Sequence, residues 1–432
     1  MDTYHNYILN IYILYIIYIM NALYIFHRDL RYEDNKTLNY LLKHNDIENV
    51  IPLFNFDPNQ ILPENNKYFS NNAVQFMIES LIDMGDIQMP ILTYNNLLLS
   101  VKKIYKKAPF KYIGFNKDYT PFALKRDKEI QDWADEQGII VFSFDDTLMK
   151  QGEIRNLSGG IYQKFTPYYN KVVQMNIKIE EPEILDKKII KKKLLTNIKV
   201  KHIDITKFYE VNPNNATNGG RKEGFNKINE FKKFVKTYKE KRDFLYLETS
   251  GLSPYLKFGC LSVREIYHTF FKYKDFIRQL YWREFYYNLG LFIGEYKYNK
   301  NNYNKTNFNN WKNGTTGIPI IDAAMRQLNK TGIMHNRARM MVASYLTKNL
   351  NIDWKKGEKY FATKLIDYDP IQNNRNWCYI ASITPESQPS FRKFNPLTQM
   401  LKYDPDCIYV KRYVDELKDK SKEEIIKLFQ RS

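Results

Sequence analysis

The sequence predicts an α/β domain in residues 20–150, a long connector in residues 151–225 and an all-α domain in residues 226–432. Two patterns lead to this fold class. In the first region, short apolar runs alternate with amphipathic stretches of helix length, which is typical of a parallel sheet covered on both faces by helices. In the last region that alternation stops and only helix-length patterns remain.

Five apolar runs of strand length define the predicted sheet, at residues 22–26, 50–56, 91–94, 111–115 and 139–144. Helical patterns lie between them at residues 71–84 and 121–137. Strands that alternate with helices predict βαβ crossovers and parallel pairing. No Gly-x-Gly-x-x-Gly follows any of the five runs, so the glycine fingerprint of dinucleotide-binding domains is absent from this region of the sequence.

The connector has little core pattern and contains a lysine-rich run at residues 187–193. A solvated face is one interpretation of this run, and a nuclear import signal is the other. After the connector, helices are predicted at residues 225–238, 263–271, 275–291, 320–327, 333–350 and 355–365.

Composition limits the function classes. Of the 432 residues, 44% are hydrophobic and 26% are charged, which is typical of a globular protein and excludes wholesale disorder. Cys260, Cys378 and Cys407 are too few for a disulfide framework and lack the spacing of a zinc site, so we expect an intracellular, unsecreted protein without a metal. The net charge of +18 favours a nucleic-acid partner, although a lysine-rich surface alone would also produce it.

The N-terminus is apolar over residues 8–26. Asn10 and Asn21 interrupt this run, no Lys or Arg precedes it and no small-residue cleavage site follows, which argues against a signal peptide. We expect residues 22–26 to form a strand. Residues 1–19 are then an extension, or sequence upstream of the true start, and a membrane anchor is the alternative.

Polar residues in the all-α region occupy positions where a buried helix face would be apolar. In the helix predicted over residues 275–291, helical spacing puts four such residues on the same face: Gln279, Trp282, Arg283 and Tyr286. A block rich in hydrogen-bond donors is predicted in the middle of the helix over residues 333–350, and two further polar stretches follow, at residues 367–370 and 373–377. Buried arginines need carboxylate or anion partners. These residues therefore form either a ligand site or a structural network that pairs Asp367 and Asp369 with Arg337 and Arg339.

Long motifs in this sequence resemble those of the photolyase/cryptochrome flavoprotein family, most closely its class I members that act on cyclobutane pyrimidine dimers. Four motifs lie in the all-α region, at residues 249–259 (TSGLSPYLKFG), 282–286 (WREFY), 314–327 (GTTGIPIIDAAMRQ) and 335–340 (HNRARM). Two more are residues 28–35 (RDLRYEDN) and 165–167 (FTP). The resemblance implies a Rossmann-like first domain and a helical domain that holds FAD in a bent conformation.

The resemblance also implies cofactor-binding residues. Those on the phosphate side of FAD are Tyr238, Thr249, Ser250, Leu252 and Ser253. Those that line the flavin and ribose are Gln279, Arg283, Arg339, Asp367 and Asp369. Asn373 matches the residue facing flavin N5, where an amide can support the reduced anionic flavin FADH⁻.

The implied function is light-driven repair of UV-damaged DNA, in which FADH⁻ donates an electron to a lesion flipped out of the duplex. Residues implied to contact the lesion are Gln279, Asn336 and Met340, between stacking walls formed by Trp282 and Tyr379. Candidates for the flanking phosphates are Arg242, Arg337, Arg392 and Lys393. We expect a soluble monomer, located in the cytoplasm or nucleus, with damaged DNA as its partner.

Two accessory features follow from the same resemblance. An electron relay to the flavin would use Trp377 and then Trp354, with Tyr298 or Tyr303 as the terminal donor, unless these tryptophans serve only in core packing. Phe122 and Ala123 stand where folate-binding relatives carry Asn-Glu. We therefore expect that any second, light-harvesting chromophore is absent or is not a folate.

Motifs disagree about the lesion. Relatives that repair the (6-4) photoproduct place histidines at the positions of Asn336 and Met340, because that reaction needs a proton donor. His335 is one residue earlier, about 100° round the predicted helix, and should face elsewhere. Against this, Gln279 stands where dimer-repairing relatives usually carry Glu. We expect splitting of cyclobutane pyrimidine dimers, with (6-4) repair and cryptochrome-type signalling as the alternatives.

Overall fold

The first region folds into one parallel sheet in a computed structural model that describes residues 21–292, 303–384 and 393–429. Its strands are β1 (Asn21–Phe26), β2 (Asn49–Phe56), β3 (Ile91–Tyr94), β4 (Tyr112–Asn116) and β5 (Ile140–Phe144). Each begins and ends within one residue of its predicted position. The spatial order is β3-β2-β1-β4-β5, and all neighbours are parallel. The order reverses between β1 and β4, so the crevice at their carboxyl ends is the topological switch point of the sheet.

Five helices connect the strands: α1 (Lys36–Lys43), α2 (Pro58–Ile61), α3 (Asn71–Met84), α4 (Leu97–Lys107) and α5 (Pro121–Glu136). The predictions for α3 and α5 are confirmed, and both helices begin after a residue whose hydroxyl accepts a backbone N–H, Ser70 and Thr120. The patterns missed α2, which is a single turn, and also α1 and α4. The last two begin at capping Asn35 and Asn96, which are themselves helix-start signals.

The connector contains more ordered structure than its sequence pattern predicts. It forms helices α6 (Phe165–Met175) and α7 (Lys187–Lys193) and a 3₁₀ turn, Ile205–Phe208. The lysine-rich run is α7, capped by Asp186. Of its two isoleucines, Ile190 is fully buried and Ile189 is exposed, and most of its lysines are exposed. Two adjacent apolar residues in a two-turn helix are too weak a signal for a periodicity argument.

The all-α region is confirmed as helical. Its helices are α8 (Arg221–Lys232), α9 (Tyr238–Lys241), α10 (Ser253–Lys257), α11 (Val263–Phe270), α12 (Lys274–Phe292), α13 (Lys305–Asn313), α14 (Pro319–Thr331), α15 (Asn336–Ser344), α16 (Trp354–Ala362), α17 (Pro370–Ala381), α18 (Pro396–Tyr403), α19 (Ile408–Tyr413) and α20 (Lys422–Leu428). Short 3₁₀ turns lie at Val235–Thr237 and Asp415–Leu417.

Two helix predictions in this region are wrong at their boundaries. The helix predicted over residues 225–238 begins earlier and ends at Lys232, and the chain then forms two short turns. The helix predicted over residues 333–350 begins only at Asn336, because Gly332 adopts a left-handed conformation and His335 is the N-cap. It ends in a π-turn, Tyr345–Asn349. The donor-rich block therefore lies at the start of a helix and not in its middle.

Buried ion pairs join the two regions. Arg264 of α11 donates to Asp146 at 2.8 Å and to Asp34 at 3.1 Å, and Arg31 donates to the other oxygen of Asp146 at 2.6 Å. Both arginines are at most 2% exposed. Together they hold the pKa of Asp146 at about 2, although burial alone would raise it. This network fixes the α/β region against the helical region.

Two hydrophobic clusters divide the helical region. Helices α11 and α12 share a cluster with one face of the sheet, whereas α13 to α20 form the second cluster. Helix α17 contacts α12 as well as α15 and α16, and we refer to the region where these four helices meet as the cleft. Within the described residues, no helix is both long and apolar enough to cross a membrane. The apolar segment before Asn21 lies outside that range.

Candidate active site

Two carboxylates at the start of α17 form the floor of the cleft. Asp369 is the N-cap of α17 and accepts the backbone N–H groups of Ile371 and Gln372 at 3.0 and 2.9 Å. Asp367 accepts two bonds from Arg339 of α15, at 3.0 and 2.8 Å, and one from the hydroxyl of Ser253 at 2.6 Å. Of the network that the sequence analysis offered, which pairs Asp367 and Asp369 with Arg337 and Arg339, only the pair of Arg339 and Asp367 is present.

Arg28 reaches this floor from the carboxyl end of β1. Its guanidinium donates to Asp369 and, at 3.2 Å, to the hydroxyl of Tyr287, which itself donates to Asp369 at 2.8 Å. The positive charge of Arg28 holds the pKa of Asp369 at about 2 against the effect of burial. Lys257 lies beside the same groups, and burial lowers its pKa to about 7. Sequence reasoning placed Arg28 in a motif but assigned it no contact.

Asn373 is held by a residue that the sequence analysis did not identify. Its amide nitrogen donates to Glu358 of α16 at 3.1 Å, and the hydroxyl of Tyr368 donates to the same oxygen at 3.0 Å. Glu358 is 5% exposed, and burial raises its pKa. Because the carboxylate binds the amide nitrogen, the orientation of the Asn373 amide is fixed.

The residues implied to bind the phosphate side of FAD lie on a loop that leads into α10. Thr249 and Ser253 are exposed there, and Gly251 has a φ of +62°, a conformation that other residues rarely adopt. Leu252 is buried, and Tyr238, on α9, packs its ring against Phe276 of α12. Ser250 is half-buried on the same loop, and the hydroxyl of Ser253 is the one that donates to Asp367.

Asn336 and Met340 lie one turn apart on α15, and the amide nitrogen of Asn336 is 3.9 Å from the sulfur of Met340. Gln279 of α12 is half-buried, and its side chain donates to the carbonyl of Asp275 in its own helix. His335 precedes α15 as its N-cap, with its Nδ1 accepting the N–H of Arg337, so its side chain occupies a capping position and not the helical position assumed for it. Burial lowers the pKa of His335 to about 4, so the imidazole is neutral at neutral pH.

The two implied stacking walls differ in accessibility. Trp282 is stacked face to face on Phe165 of α6, with ring centroids 3.7 Å apart and an interplanar angle of 9°. Phe165 therefore covers one face of Trp282, and the ring of Tyr286 lies 5.5 Å away, tilted by 31°. Tyr379 on α17 is half-buried.

The positively charged residues implied to bind DNA phosphates differ in how far other groups of the protein already engage them. Arg337 forms an ion pair with Asp243 at 2.9 Å and lies over the ring of Tyr403. Arg242 lies over the ring of Tyr238, and Lys393 is exposed. Arg392, predicted with them, is outside the described residues.

Trp377 and Trp354 are both buried, on α17 and α16. Tyr303, one of the two predicted terminal donors, is 44% exposed, whereas Tyr298 falls in a part of the chain that the structure does not describe. In the described ranges, no group of three or more potential ligands is placed to hold a metal ion.

Two known domains match this chain. Residues 22–184 match a domain described as DNA photolyase, and residues 276–432 match the FAD binding domain of DNA photolyase. The deoxyribodipyrimidine photo-lyase of Buchnera aphidicola from Acyrthosiphon pisum is 34% identical over 91% of this chain and 87% of its own length.

The chain belongs to the DNA photolyase family.

Solved structures agree with this assignment. An archaeal photolyase from Sulfolobus tokodaii, solved with two FAD molecules, is 35% identical, with a TM-score of 0.82 over 95% of this chain and 94% of its own. A class III photolyase from Agrobacterium tumefaciens gives a TM-score of 0.85 at 28% identity, covering 95% and 90% of the two chains. A Synechocystis cryptochrome gives 0.84 at 26% identity, covering 94% and 90%. The fold predicted from the sequence is thereby confirmed.

This photolyase uses FAD, acts in DNA repair and has UV-damaged DNA as its substrate. The donor set of the cleft fits that cofactor. Hydroxyl and backbone groups precede α10 for a pyrophosphate, carboxylates lie at the cleft floor for hydroxyl groups, and a fixed amide at Asn373 suits a ring nitrogen.

Proposed function

We propose that this photolyase splits the cyclobutane pyrimidine dimer and does not repair the (6-4) photoproduct. The observation that carries the choice is the chemistry at the start of α15. Asn336 and Met340 have no acidic proton, and His335 is a buried, neutral helix cap. Splitting of a cyclobutane ring needs an electron and no net proton, whereas the (6-4) reaction also needs a proton donor.

FAD, in its reduced form, supplies the electron when it absorbs blue light. The protein binds and orients it. Ser250, Leu252 and Ser253, with Tyr238 and Thr249, hold its phosphate side. Asp367, Asp369, Arg283 and Arg339 line the flavin and ribose, and Arg283, stacked 4.7 Å over the ring of Tyr287, adds positive charge beside them.

Asn373 would hold the flavin at its N5 edge, and Glu358 fixes the orientation of the Asn373 amide by accepting from its nitrogen. An amide without a titratable proton supports an anionic reduced flavin, because it adds no negative charge there. Glu358 is a positioning residue in this account, since it acts on the flavin only through Asn373.

The lesion enters the cleft mouth between Gln279 on α12 and Asn336 and Met340 on α15. The Gln279 amide can accept the imide N–H and donate to a carbonyl of the pyrimidine once it releases the Asp275 carbonyl. Trp282 and Tyr379 form the apolar walls. Because Phe165 covers one face of Trp282, only its other face and its edge are available to a base.

Arg242, Arg337, Arg392 and Lys393 neutralise phosphates beside the flipped lesion. Arg337 must exchange Asp243 for a phosphate, so it contributes less to affinity than an unpaired arginine. A monomer suffices for this arrangement, and the protein acts in whichever compartment holds its DNA, the cytoplasm or the nucleus.

No folate is expected as a second chromophore. Phe122 and Ala123 lie in the first turn of α5, and Ala123 is fully buried while Phe122 is 39% exposed. Neither can form the polar contacts of an Asn-Glu pair. A folate-like near-ultraviolet band that remains with the purified protein would contradict this.

The proposed function is tested with the purified holoprotein and an oligonucleotide that carries one cyclobutane thymine dimer. We expect loss of the dimer under blue light and none in the dark. The cryptochrome alternative, which the Synechocystis neighbour favours, predicts a light-responsive flavin with no loss of the dimer. That outcome would contradict the proposal.

A further inference from the structure

Lysines are concentrated in two segments that the proposed function does not use. Helix α4 contains four lysines, and residues 187–203, which include α7, contain seven. Neither segment contains an Asp or a Glu. The two segments therefore contribute +11 to a chain whose net charge is +18, and they are separate in sequence from the residues assigned to the cleft.

The fold brings these two segments together at the amino ends of the strands. The backbone N–H of Leu195 donates to the carbonyl of Val50, near the start of β2, at 2.9 Å. Apolar side chains of residues 195–200 pack against the hydrophobic cluster that contains the buried face of α4. The ammonium group of Lys107, the last residue of α4, donates to the carbonyl of Lys199. Residues far apart in sequence thus form one continuous surface.

Seven exposed lysines of this surface form what we call the lysine strip: Lys106, Lys107, Lys188, Lys191, Lys192, Lys199 and Lys201. In the part of the chain that the structure describes, none of the seven forms an ion pair with a carboxylate. The acidic residues around the strip have other contacts. Asp186 caps α7 through a backbone N–H, Asp204 lies 3.7 Å from Lys207, and Asp46 lies 3.9 Å from His44.

The positively charged residues of the cleft are in the opposite situation. Arg28, Arg337 and Arg339 each already contact a carboxylate. Lysines that follow one another along the chain, as Lys191 and Lys192 do, repel one another, and an anionic partner relieves that repulsion. The lysine strip therefore fits a polyanion without first giving up a partner of its own.

The backbone of duplex DNA fits the strip better than a lipid surface does. Duplex DNA carries one negative charge per about 1.7 Å, and lysine binds phosphate as a flexible point charge that reads no bases. A helix that lies on a membrane presents a wide apolar face. On α7, by contrast, Ile189 is 54% exposed and Ile190 is fully buried, so a single large apolar side chain faces solvent.

The strip and the cleft lie at opposite ends of the sheet. Arg28 follows the carboxyl end of β1, whereas the strip lies at the amino ends of the strands. The six residues of β1 alone span about 20 Å. Duplex DNA has a persistence length of about 50 nm, so a duplex bound at the cleft cannot bend back within that distance to reach the strip. A duplex on the strip is therefore a second one.

We propose that the lysine strip is a second, sequence-independent binding surface for duplex DNA, which holds an undamaged segment while another segment occupies the cleft. The inference rests on the DNA substrate of the family and not on which lesion is split. A protein that holds two segments at once passes directly from one to the other, which shortens the search for a rare lesion.

The first test compares two triple variants with the parent protein. The strip variant carries Lys106→Gln, Lys191→Gln and Lys192→Gln, and the matched control carries Lys418→Gln, Lys420→Gln and Lys427→Gln, at exposed lysines far along the chain from the strip. Each FAD-loaded protein is saturated in the dark with a short duplex that contains one dimer. Fluorescence anisotropy then measures binding of a longer, undamaged duplex at several salt concentrations.

We expect the parent and the control to bind the second duplex with an affinity that falls steeply with salt. In the strip variant, the slope of log affinity against log salt should decrease by about two to three, because each lost phosphate contact removes about 0.9. The same slope in all three proteins, or no binding of a second duplex by the parent, would overturn the proposal.

The second test asks whether one protein molecule joins two duplexes. An undamaged duplex is fixed to beads, and a fluorescent short duplex with one dimer is added together with the protein in the dark. We expect the parent and the control to retain the fluorescent duplex on the beads, and the strip variant to retain at least about tenfold less. Equal retention by the strip variant would contradict a second surface at these lysines.

A lipid surface is the main competing partner, because Asn21 begins β1 at this end of the sheet and an apolar sequence precedes it. Sedimentation with vesicles of equal parts phosphatidylcholine and phosphatidylserine tests it. Binding to these vesicles at protein concentrations that leave the second duplex unbound would overturn the proposal in favour of lipid. Binding to neither would assign the lysine run to a solvated face and would also overturn it.

Repair of the short duplex separates this proposal from the proposed function. The chemically reduced strip variant should repair the dimer in the short duplex at the rate of the parent and should have the same thermal midpoint. A slower rate would mean that these lysines serve the cleft or the fold, and would contradict a separate surface. Absence of repair in the parent would contradict the proposed function, whereas binding of the second duplex would still be measured.

Discussion

The floor and the mouth of the cleft are organised differently. At the floor, Asp367 and Asp369 each accept several hydrogen bonds, from arginines, hydroxyls and the first turn of α17. At the mouth, Gln279 bonds to its own helix and Asn336 faces only the sulfur of Met340 in the hydrogen bonds of the described chain. The difference teaches that, with FAD at the floor and the lesion at the mouth as we propose, the cofactor would meet a preorganised site and the lesion would meet side chains that can rearrange.

The largest effect on stability and cofactor binding should come from a substitution at the floor of the cleft. Arg28→Ala leaves the buried Asp369 carboxylate without its arginine, which costs about 3–5 kcal/mol of stability where a buried ion pair is broken. We expect a lower thermal midpoint and loss of most bound FAD, measured by calorimetry and by absorbance. Arg28→Lys, which keeps the charge, should recover part of both.

The same pair predicts an acid limit. Because Arg28 lowers the pKa of Asp369 to about 2, its stabilisation is present above pH 3.8 and is lost as the pH falls towards 2. If Arg28→Ala lowered stability equally at pH 6 and at pH 2, the ion pair would not be the cause.

His335 lies between floor and mouth and should produce a pH-dependent effect. Its pKa is about 4 in the folded protein and near 6.5 when unfolded, so protonation of the unfolded chain lowers stability as the pH falls from 6.5 to 4. The loss is at most about 3 kcal/mol. His335→Asn keeps an N-capping side chain and should remove this step. Denaturant titrations at pH 7 and pH 5 measure the free energy of unfolding of the parent and of His335→Asn. If that free energy changed between the two pH values by the same amount in both proteins, the buried neutral imidazole would be contradicted.

Substitution of Trp377 should affect photoreduction of the flavin and not repair of the dimer. We expect Trp377→Phe to slow photoreduction by at least about tenfold, equivalent to about 1.4 kcal/mol of barrier, and to leave dimer repair by chemically reduced protein nearly unchanged. Transient absorption and a repair assay give the two values. Loss of both would mean that Trp377 is needed for folding or substrate binding, and unchanged photoreduction would dismiss the relay.

The smallest effect should come from a substitution at the mouth of the cleft, and it should change the yield of repair. Gln279→Glu places a carboxylate where dimer-repairing relatives usually have one, and we expect the yield of dimer repair per absorbed photon to rise by roughly threefold or less, since one hydrogen bond to the lesion gains charge. The comparison variant is Gln279→Ala, which should lower the yield. A fall with Glu would show that the amide is adapted to its lesion.

Sequence patterns predicted the sheet to within one residue because apolar runs of strand length are strong local signals. They could not predict contacts between distant residues. Arg28 and Asp369 are 341 positions apart, and only the folded chain brings the residues that follow β1 beside Tyr287 of α12 and the start of α17. Glu358 was missed for the same reason, since its contact is with Asn373 on another helix. The helix predicted to begin at residue 333 begins three residues later, because Gly332 ends the preceding helix in a left-handed conformation and His335 caps the next one.

The most direct test of the account is a side-by-side assay of both lesions. Chemically reduced protein is illuminated with blue light on oligonucleotides that carry either one cyclobutane dimer or one (6-4) photoproduct, and the variant Asn336→His is run beside it. The account predicts efficient loss of the dimer, with little or no loss of the (6-4) lesion by the parent protein. Efficient (6-4) repair with little dimer repair would contradict it.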